Sequence, residues 1–281
     1  MLSDNYKNHT FTPTKIWKKR LTMPENKILL GEVVSEVRLG VGTITFSHPA
    51  QNAFPSQQLQ RLVEAIEQLG MDEAAKVIIL QSAGDRTFCA GASFDELAAI
   101  QNFEQGKQFF MGFAKVINAL RKCPKFVIGR VQGKAVGGGV GLCAAVDYCI
   151  ASKWASVKLS ELAIGIGPFV VGPAVERKMG TAAMSHLAIN ATEWQTAEWA
   201  KQKGLFNEVF ETVEQVDAYV ADLAGRLAAF SPEAMKQLKQ ACWQGTEHWD
   251  LLLEERAAIS GQLVLSDFTR KAIAQFKQKD A

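Results

Sequence analysis

Between residues 133 and 152 the chain reads GKAVGGGVGLCAAVDYCIAS, three consecutive glycines and a fourth two positions on, set in an apolar run. A glycine inside a helix or strand costs about 0.5 to 1 kcal/mol relative to alanine. Gly137, Gly138, Gly139 and Gly141 therefore mark a place where something needs bare backbone. KFVIGRVQG (125 to 133) reads as a strand and LCAAVDY as the start of a helix, so the run is a strand-to-helix turn. The first N–H groups of a helix have no internal partner, and without Cβ atoms in the way a ligand oxygen reaches them.

The rest of the first half alternates strand-like and helix-like periods. VRLGVGTITFS (37 to 47) reads as a strand pair, and Leu59, Leu62, Val63, Ile66 and Leu69 share one helical face between Pro55 and Gly70. KVIIL (76 to 80) is a short buried strand of the parallel-sheet kind. A helix over 104 to 122 carries Phe109, Phe110, Phe113, Val116, Ile117 and Leu120 and stops at Cys123 and Pro124, and YCIAS is a further strand. This order predicts an α/β core. After about residue 180 the pattern is helical alone, with a cap-then-proline start at Ser231 and Pro232 and two amphipathic stretches, WDLLLEERAAISGQLVL and DFTRKAIAQFKQK.

Composition narrows the classes. The chain has 281 residues, 48% apolar and 21% charged, and a net charge of +2, which offers no field for a polyanion, so nucleic acid is not expected as a partner. No apolar run approaches the roughly 18 residues of a membrane span, so no membrane partner is expected either. Five cysteines, Cys89, Cys123, Cys143, Cys149 and Cys242, form no CxxC pair or zinc spacing and read as reduced thiols of a cytoplasmic protein. The histidines His9, His48, His186 and His248 do not cluster, and Cys89, with no histidine beside it, reads as pocket wall. Residues 1–26 read as a disordered extension or an over-called start, with an organelle-targeting peptide as a further reading; 27–225 read as the α/β core and 226–281 as a helical C-terminal portion.

Two ligands suit the glycine turn besides the reading of tight helix packing alone. Gly139, Gly141 and Ala144 satisfy GxGxxA, with Glu161 20 residues after Gly141, as in a dinucleotide site. That match leaves Gly137 and Gly138 superfluous and begins far from the head of a βαβ unit. The other ligand is an oxygen that gains negative charge during a reaction. FCAGAS (88 to 93) is a second small-residue turn entering a helix, and two such turns could aim two N–H donors at one oxygen.

FCAGASFDEL, then QGKAVGGGVGL, then SELAIGIGP, together with HPAQNAF (48 to 54), resemble in identity and order the crotonase superfamily of enoyl-CoA hydratases and isomerases. The resemblance implies a superhelix of strand-strand-helix repeats closed by C-terminal helices, assembled as a trimer or a pair of trimers. It also implies an acyl-CoA thioester substrate with no separate cofactor and no metal. Its carbonyl oxygen would lie between the N–H groups of Ala92 and Gly138. Ala90, Ser93, Phe94, Asp95, Gly137, Gly141 and Phe169 would line the acyl and pantetheine channel, and Ala50, Gln51, Asn52 and Ala53 would meet the adenine end.

Two departures from the family stand out. Hydratases carry two catalytic glutamates, and here Gly141 occupies the first position and Glu161 the second. This single-glutamate pattern is similar to that of family isomerases and some lyases, because moving a double bond needs one base whereas adding water benefits from two groups. Asp95, Glu96, Asp147 and His186 are the remaining candidates for a second acid or base. GIGPFVVGP also puts Phe169, Val170 and Val171 where relatives carry small glycines, which implies a narrowed acyl pocket. The expected reading is an acyl-CoA enzyme favouring isomerisation; hydration, carbon–carbon lysis and a non-catalytic CoA-ester-binding protein are the alternatives.

Overall fold

Leu39 and Gly40, with φ of 51° and 82°, form a two-residue turn that pairs β1 (Glu32–Arg38) antiparallel with β2 (Val41–Ser47), Arg38 facing Val41. The structure, a computed structural model, describes residues 31–279, so the extension expected at 1–26 lies outside the described residues. Helix α1 (Ser56–Met71) follows, starting at Pro55, and then β3 (Val77–Ser82) and β4 (Thr87–Cys89). Next come α2 (Phe94–Ala99), α3 (Phe103–Lys122), β5 (Val127–Val131), β6 (Lys134–Val136) and α4 (Gly138–Ala145). Then β7 (Tyr148–Ser152), β8 (Ser156–Lys158), a 3-10 turn (Leu162–Ile164), α5 (Gly172–Met179) and α6 (Thr181–Ile189) complete the middle of the chain.

Strands β3, β5 and β7 each hand the chain to a partner in a second sheet, which is the strand-strand-helix repeat expected from the resemblance. KFVIGRVQG, read as a strand, holds β5, which stops at Val131, and β6 begins just beyond it at Lys134. Gly133 makes the transfer where an added Cβ would stand 2.1 Å from Arg86 O, so no other residue fits without moving that backbone.

The expectation of helices alone after residue 180 needs correction. A short β9 (Gln195–Thr196) pairs antiparallel with β8, and after α7 (Ala197–Gln202) β10 (Glu208–Phe210) adds in parallel to β7. Both are too short to show a period-2 pattern, and their placement depends on long-range pairing. The first sheet then runs β1-β2-β3-β5-β7-β10 and the second β4-β6-β8-β9. Helix α8 (Val213–Ala228) runs through the expected boundary at residue 225 and covers one face of the first sheet, packing Val216, Val220 and Ala224 on Val77, Ile79, Ile128 and Ile150. On the other face α1 and α3 bury Leu59, Leu62, Phe113 and Leu120 against Ile44, Phe46 and Leu80.

The last three helices are α9 (Pro232–Cys242), α10 (Trp249–Leu263) and α11 (Asp267–Lys279). Helix α10 lies along α3 at a glycine pair: a Cβ on Gly106 would stand 2.7 Å from Gly261 O. That close approach carries the neighbouring Ser260 into the interior. Helix α11 reaches α2 through Phe276, whose ring stacks on Phe94 at 4.6 Å. No helix among the described residues is long and apolar enough to cross a membrane.

Candidate active site

The FCAGAS turn is held by the loop before α1. Phe54 N donates to Gly91 O at 2.7 Å and Ser93 N to Phe54 O at 3.0 Å, a one-residue parallel bridge between Phe54 and Ala92. Because backbone groups alternate along an extended segment, the N–H of Ala92 turns away from Phe54, and among the described residues it donates to no acceptor. The loop itself is fastened by Asn52, in the left-handed region at φ 58°, whose Nδ2 donates to Ala83 O (2.9 Å) and Thr87 O (2.8 Å). Ala90 N donates to Gln51 O at 3.1 Å. Ser93 Oγ accepts from Glu96 N and caps α2, while Glu96 Oε2 accepts from Ser56 N at 2.6 Å and caps α1.

The glycine run supplies the second amide. Gly137, at φ 50° and ψ −113°, donates its N–H to Lys158 O (2.9 Å), and its carbonyl accepts from Val140 and Gly141 to open α4. Gly138, the first helical residue, is left with an N–H that has no acceptor among the described residues. A Cβ on Gly91 would stand 3.5 Å from Gly138 N, so the two turns touch. Side chains are excluded all along this seam: a Cβ on Gly138 would meet Phe113 Cε1 at 2.2 Å, and one on Gly139 would meet Cys89 O at 2.6 Å. At the far end of α4, Lys178 Nζ donates to Val146 O at 2.7 Å, a cation at the negative end of the helix.

Glu161 closes the arrangement. It stands three residues beyond β8, and its Oε1 would lie 2.9 Å from a Cβ on Gly137, so the carboxylate rests against the bare turn. The residue as a whole is partly exposed, but Oε2 is shut off from solvent and has no hydrogen-bond partner among the described residues. Burial pushes this carboxyl from the usual carboxylate range up to about 7, against a smaller opposing effect of its own backbone hydrogen bond. A carboxyl poised near neutrality suits reversible proton transfer.

Ala90, Ala92, Phe94, Gly137, Gly138, Glu161 and Phe169 line one cavity of about 60 Å³. The other expected site residues lie outside its walls. Asn52 and Ala53 are buried in the loop, Ala50 and Gln51 are exposed on it, Ser93 is a cap, and Asp95 is exposed and charge-coupled to His48. Gly141 does not itself line the cavity: a Cβ there would meet Cγ1 of the cavity residue Val171 at 2.5 Å, so Val171 occupies the room a side chain at 141 would need. Asp147 accepts from Lys239 and Trp243 behind α4, and His186 lies exposed beside Trp199, so neither approaches Glu161. Cys89 sits behind the cavity wall, its thiol pushed up to about 12 by burial, which removes it as a nucleophile.

Sequence reasoning missed Ser260, which is 1% exposed and lines the cavity from α10. A serine on the apolar face of ISGQLVL, followed by a glycine, was the available signal. Among the described residues, no group of three His, Cys, Asp or Glu could hold a metal ion.

Two sheets built of strand-strand-helix units, with two amides unpaired among the described residues beside a buried carboxyl, define a crotonase-type protein. Residues 36–279 match the family model described as enoyl-CoA hydratase/isomerase. A short-chain-enoyl-CoA hydratase of Clostridium acetobutylicum is 29% identical over 253 residues, 89% of this chain and 96% of its own length. The mitochondrial methylglutaconyl-CoA hydratase of Mus musculus is 30% identical over 82% of this chain and 74% of its own. Among solved structures, an enoyl-CoA hydratase described as putative, from Mycobacterium avium paratuberculosis K-10, superposes with a TM-score of 0.78 at 25% identity, covering 88% of this chain and 97% of that one. The chain belongs to the enoyl-CoA hydratase/isomerase family and is an acyl-CoA enzyme of that family.

Proposed function

We propose that the protein moves a double bond along a CoA-bound acyl chain, using Glu161 as its only acid and base. Glu161 takes a proton from C2 of a 3-enoyl thioester, the electron pair passes to the carbonyl oxygen, and the N–H groups of Ala92 and Gly138 hold the resulting enolate. The same carboxyl then returns the proton at C4, leaving the 2-enoyl thioester. Each oxyanion donor contributes about 2.7 to 4 kcal/mol in comparable sites.

The observation that carries this reading is the filling of the Gly141 site by Val171, which leaves neither a second carboxylate nor room for one. Water addition lacks the group that would hold water while Glu161 supplies the proton. The test is mass spectrometry of 3-enoyl-CoA and 2-enoyl-CoA incubated with the protein in deuterated water. Double-bond migration with deuterium uptake and no gain of water mass is expected. Gain of water would overturn the reading in favour of a hydratase, and inertness toward every ester would favour a CoA-ester-binding protein.

A pH profile gives a second check. As a base Glu161 must be ionised, so kcat/KM for isomerisation should rise with pH and level off above about 7. A profile flat from pH 5 to 8 would remove Glu161 from the proton-transfer step.

A further inference from the structure

The cavity beside Glu161 is small and nearly free of charge. An apolar cavity of about 150 Å³ takes up a benzene ring, so one of about 60 Å³ has room for about two or three carbon atoms. Among the described residues, Glu161 is the one ionisable side chain in its walls, joined by the hydroxyls of Ser160 and Ser260, and no Lys, Arg or His lines it. An acyl group carrying its own carboxylate would bring a second negative charge toward Glu161 with no cation to offset it, and an unpaired buried charge is strongly unfavourable.

Four phenylalanines contribute to the walls, and they are not equivalent. Phe110 and Phe113 are buried members of the main core, and Phe94 packs against that core and stacks on Phe276. Phe169 belongs to neither apolar core. Its ring lies over Gly167, with Cε2 2.7 Å from where a Cβ on Gly167 would stand, and its N–H donates to Gly167 O at 2.9 Å. Gly167, at φ 109°, and Pro168 set the tight turn that aims the ring into the cavity. The bulk of Phe169 thus stands in the acyl space without supporting the fold.

We infer that the acyl group is short and uncharged and that Phe169 sets its length, an inference that rests on the acyl-CoA reading above. Isothermal titration with three saturated thioesters tests it, since none needs a double bond to be moved: butyryl-CoA, octanoyl-CoA and glutaryl-CoA. Butyryl-CoA should bind at least tenfold more tightly than either of the others. In Phe169→Ala the preference over octanoyl-CoA should fall at least tenfold while that over glutaryl-CoA persists, and Phe169→Leu should fall between. Equal binding of butyryl- and octanoyl-CoA by the native protein overturns the length limit, and equal binding of glutaryl-CoA overturns the charge limit. An unchanged octanoyl preference in folded Phe169→Ala overturns the role of Phe169. Failure of all three esters to bind would instead overturn the acyl-CoA reading beneath it.

Discussion

Glu161→Gln is expected to lower turnover by about 10³-fold or more, within the 10² to 10⁴ range of general acid–base catalysis, while CoA-ester affinity changes little. The amide keeps the shape of the carboxyl beside Gly137 and removes its proton exchange. The same substitution should raise stability at pH 8. A folded-state pKa near 7 against an ordinary 4.5 means that the folded protein holds a proton the unfolded chain has lost between those values. Stability therefore falls as pH rises from about 4.5 to about 7, and the cost of the ionised buried group is fully present above that. At 1.36 kcal/mol per pH unit this amounts to about 3 kcal/mol. Urea melts of the two proteins should separate at pH 8 and coincide near pH 4. Full turnover in Glu161→Gln, measured with the deuterium assay, would end the single-base mechanism.

Lys239→Met should be strongly destabilising although it lies outside the cavity. Lys239 is 2% exposed, and its Nζ donates to Leu120 O (2.9 Å), Lys125 O (2.8 Å) and Asp147 Oδ2 (2.8 Å). Asp147 also accepts from Val127 N at 2.7 Å and Trp243 Nε1 at 2.8 Å. One ammonium thus joins α9 to the end of α3, the start of β5 and the loop after α4. Breaking a buried pair by removing one partner costs about 3 to 5 kcal/mol, because the remaining charge stays buried. A loss of that size in denaturant melts is expected, and a change under about 1 kcal/mol would show that solvent reaches Asp147. Turnover per folded molecule should be spared, since Lys239 does not line the cavity.

Much of the site was legible because its parts are local. The small-residue turns at 88–93 and 137–141, each entering a helix, follow from turn and helix chemistry within a few residues, whereas Ser93, expected to line the channel, caps α2. Glu161 was legible from its place between VKLS and LAIGIGP, and the absence of a glutamate at 141 from the residue itself. Strands β9 and β10 were not legible, since two or three residues carry no period and their partners lie about 40 to 60 residues away. Asn52 was expected to meet a ligand and is instead occupied by Ala83 O and Thr87 O, partners more than 30 positions distant.

By itself the amino-acid sequence determined the α/β order, the two small-residue turns and the carboxyl that follows them. Tertiary structure alone decided that the Ala92 and Gly138 amides share a cavity, that Val171 fills the space at Gly141, and that Ser260 arrives from a distant helix. The physical reason is range. Periodicity and capping are set by neighbours along the chain, whereas an unpaired amide or an occupied void depends on which backbone and side chains arrive from elsewhere.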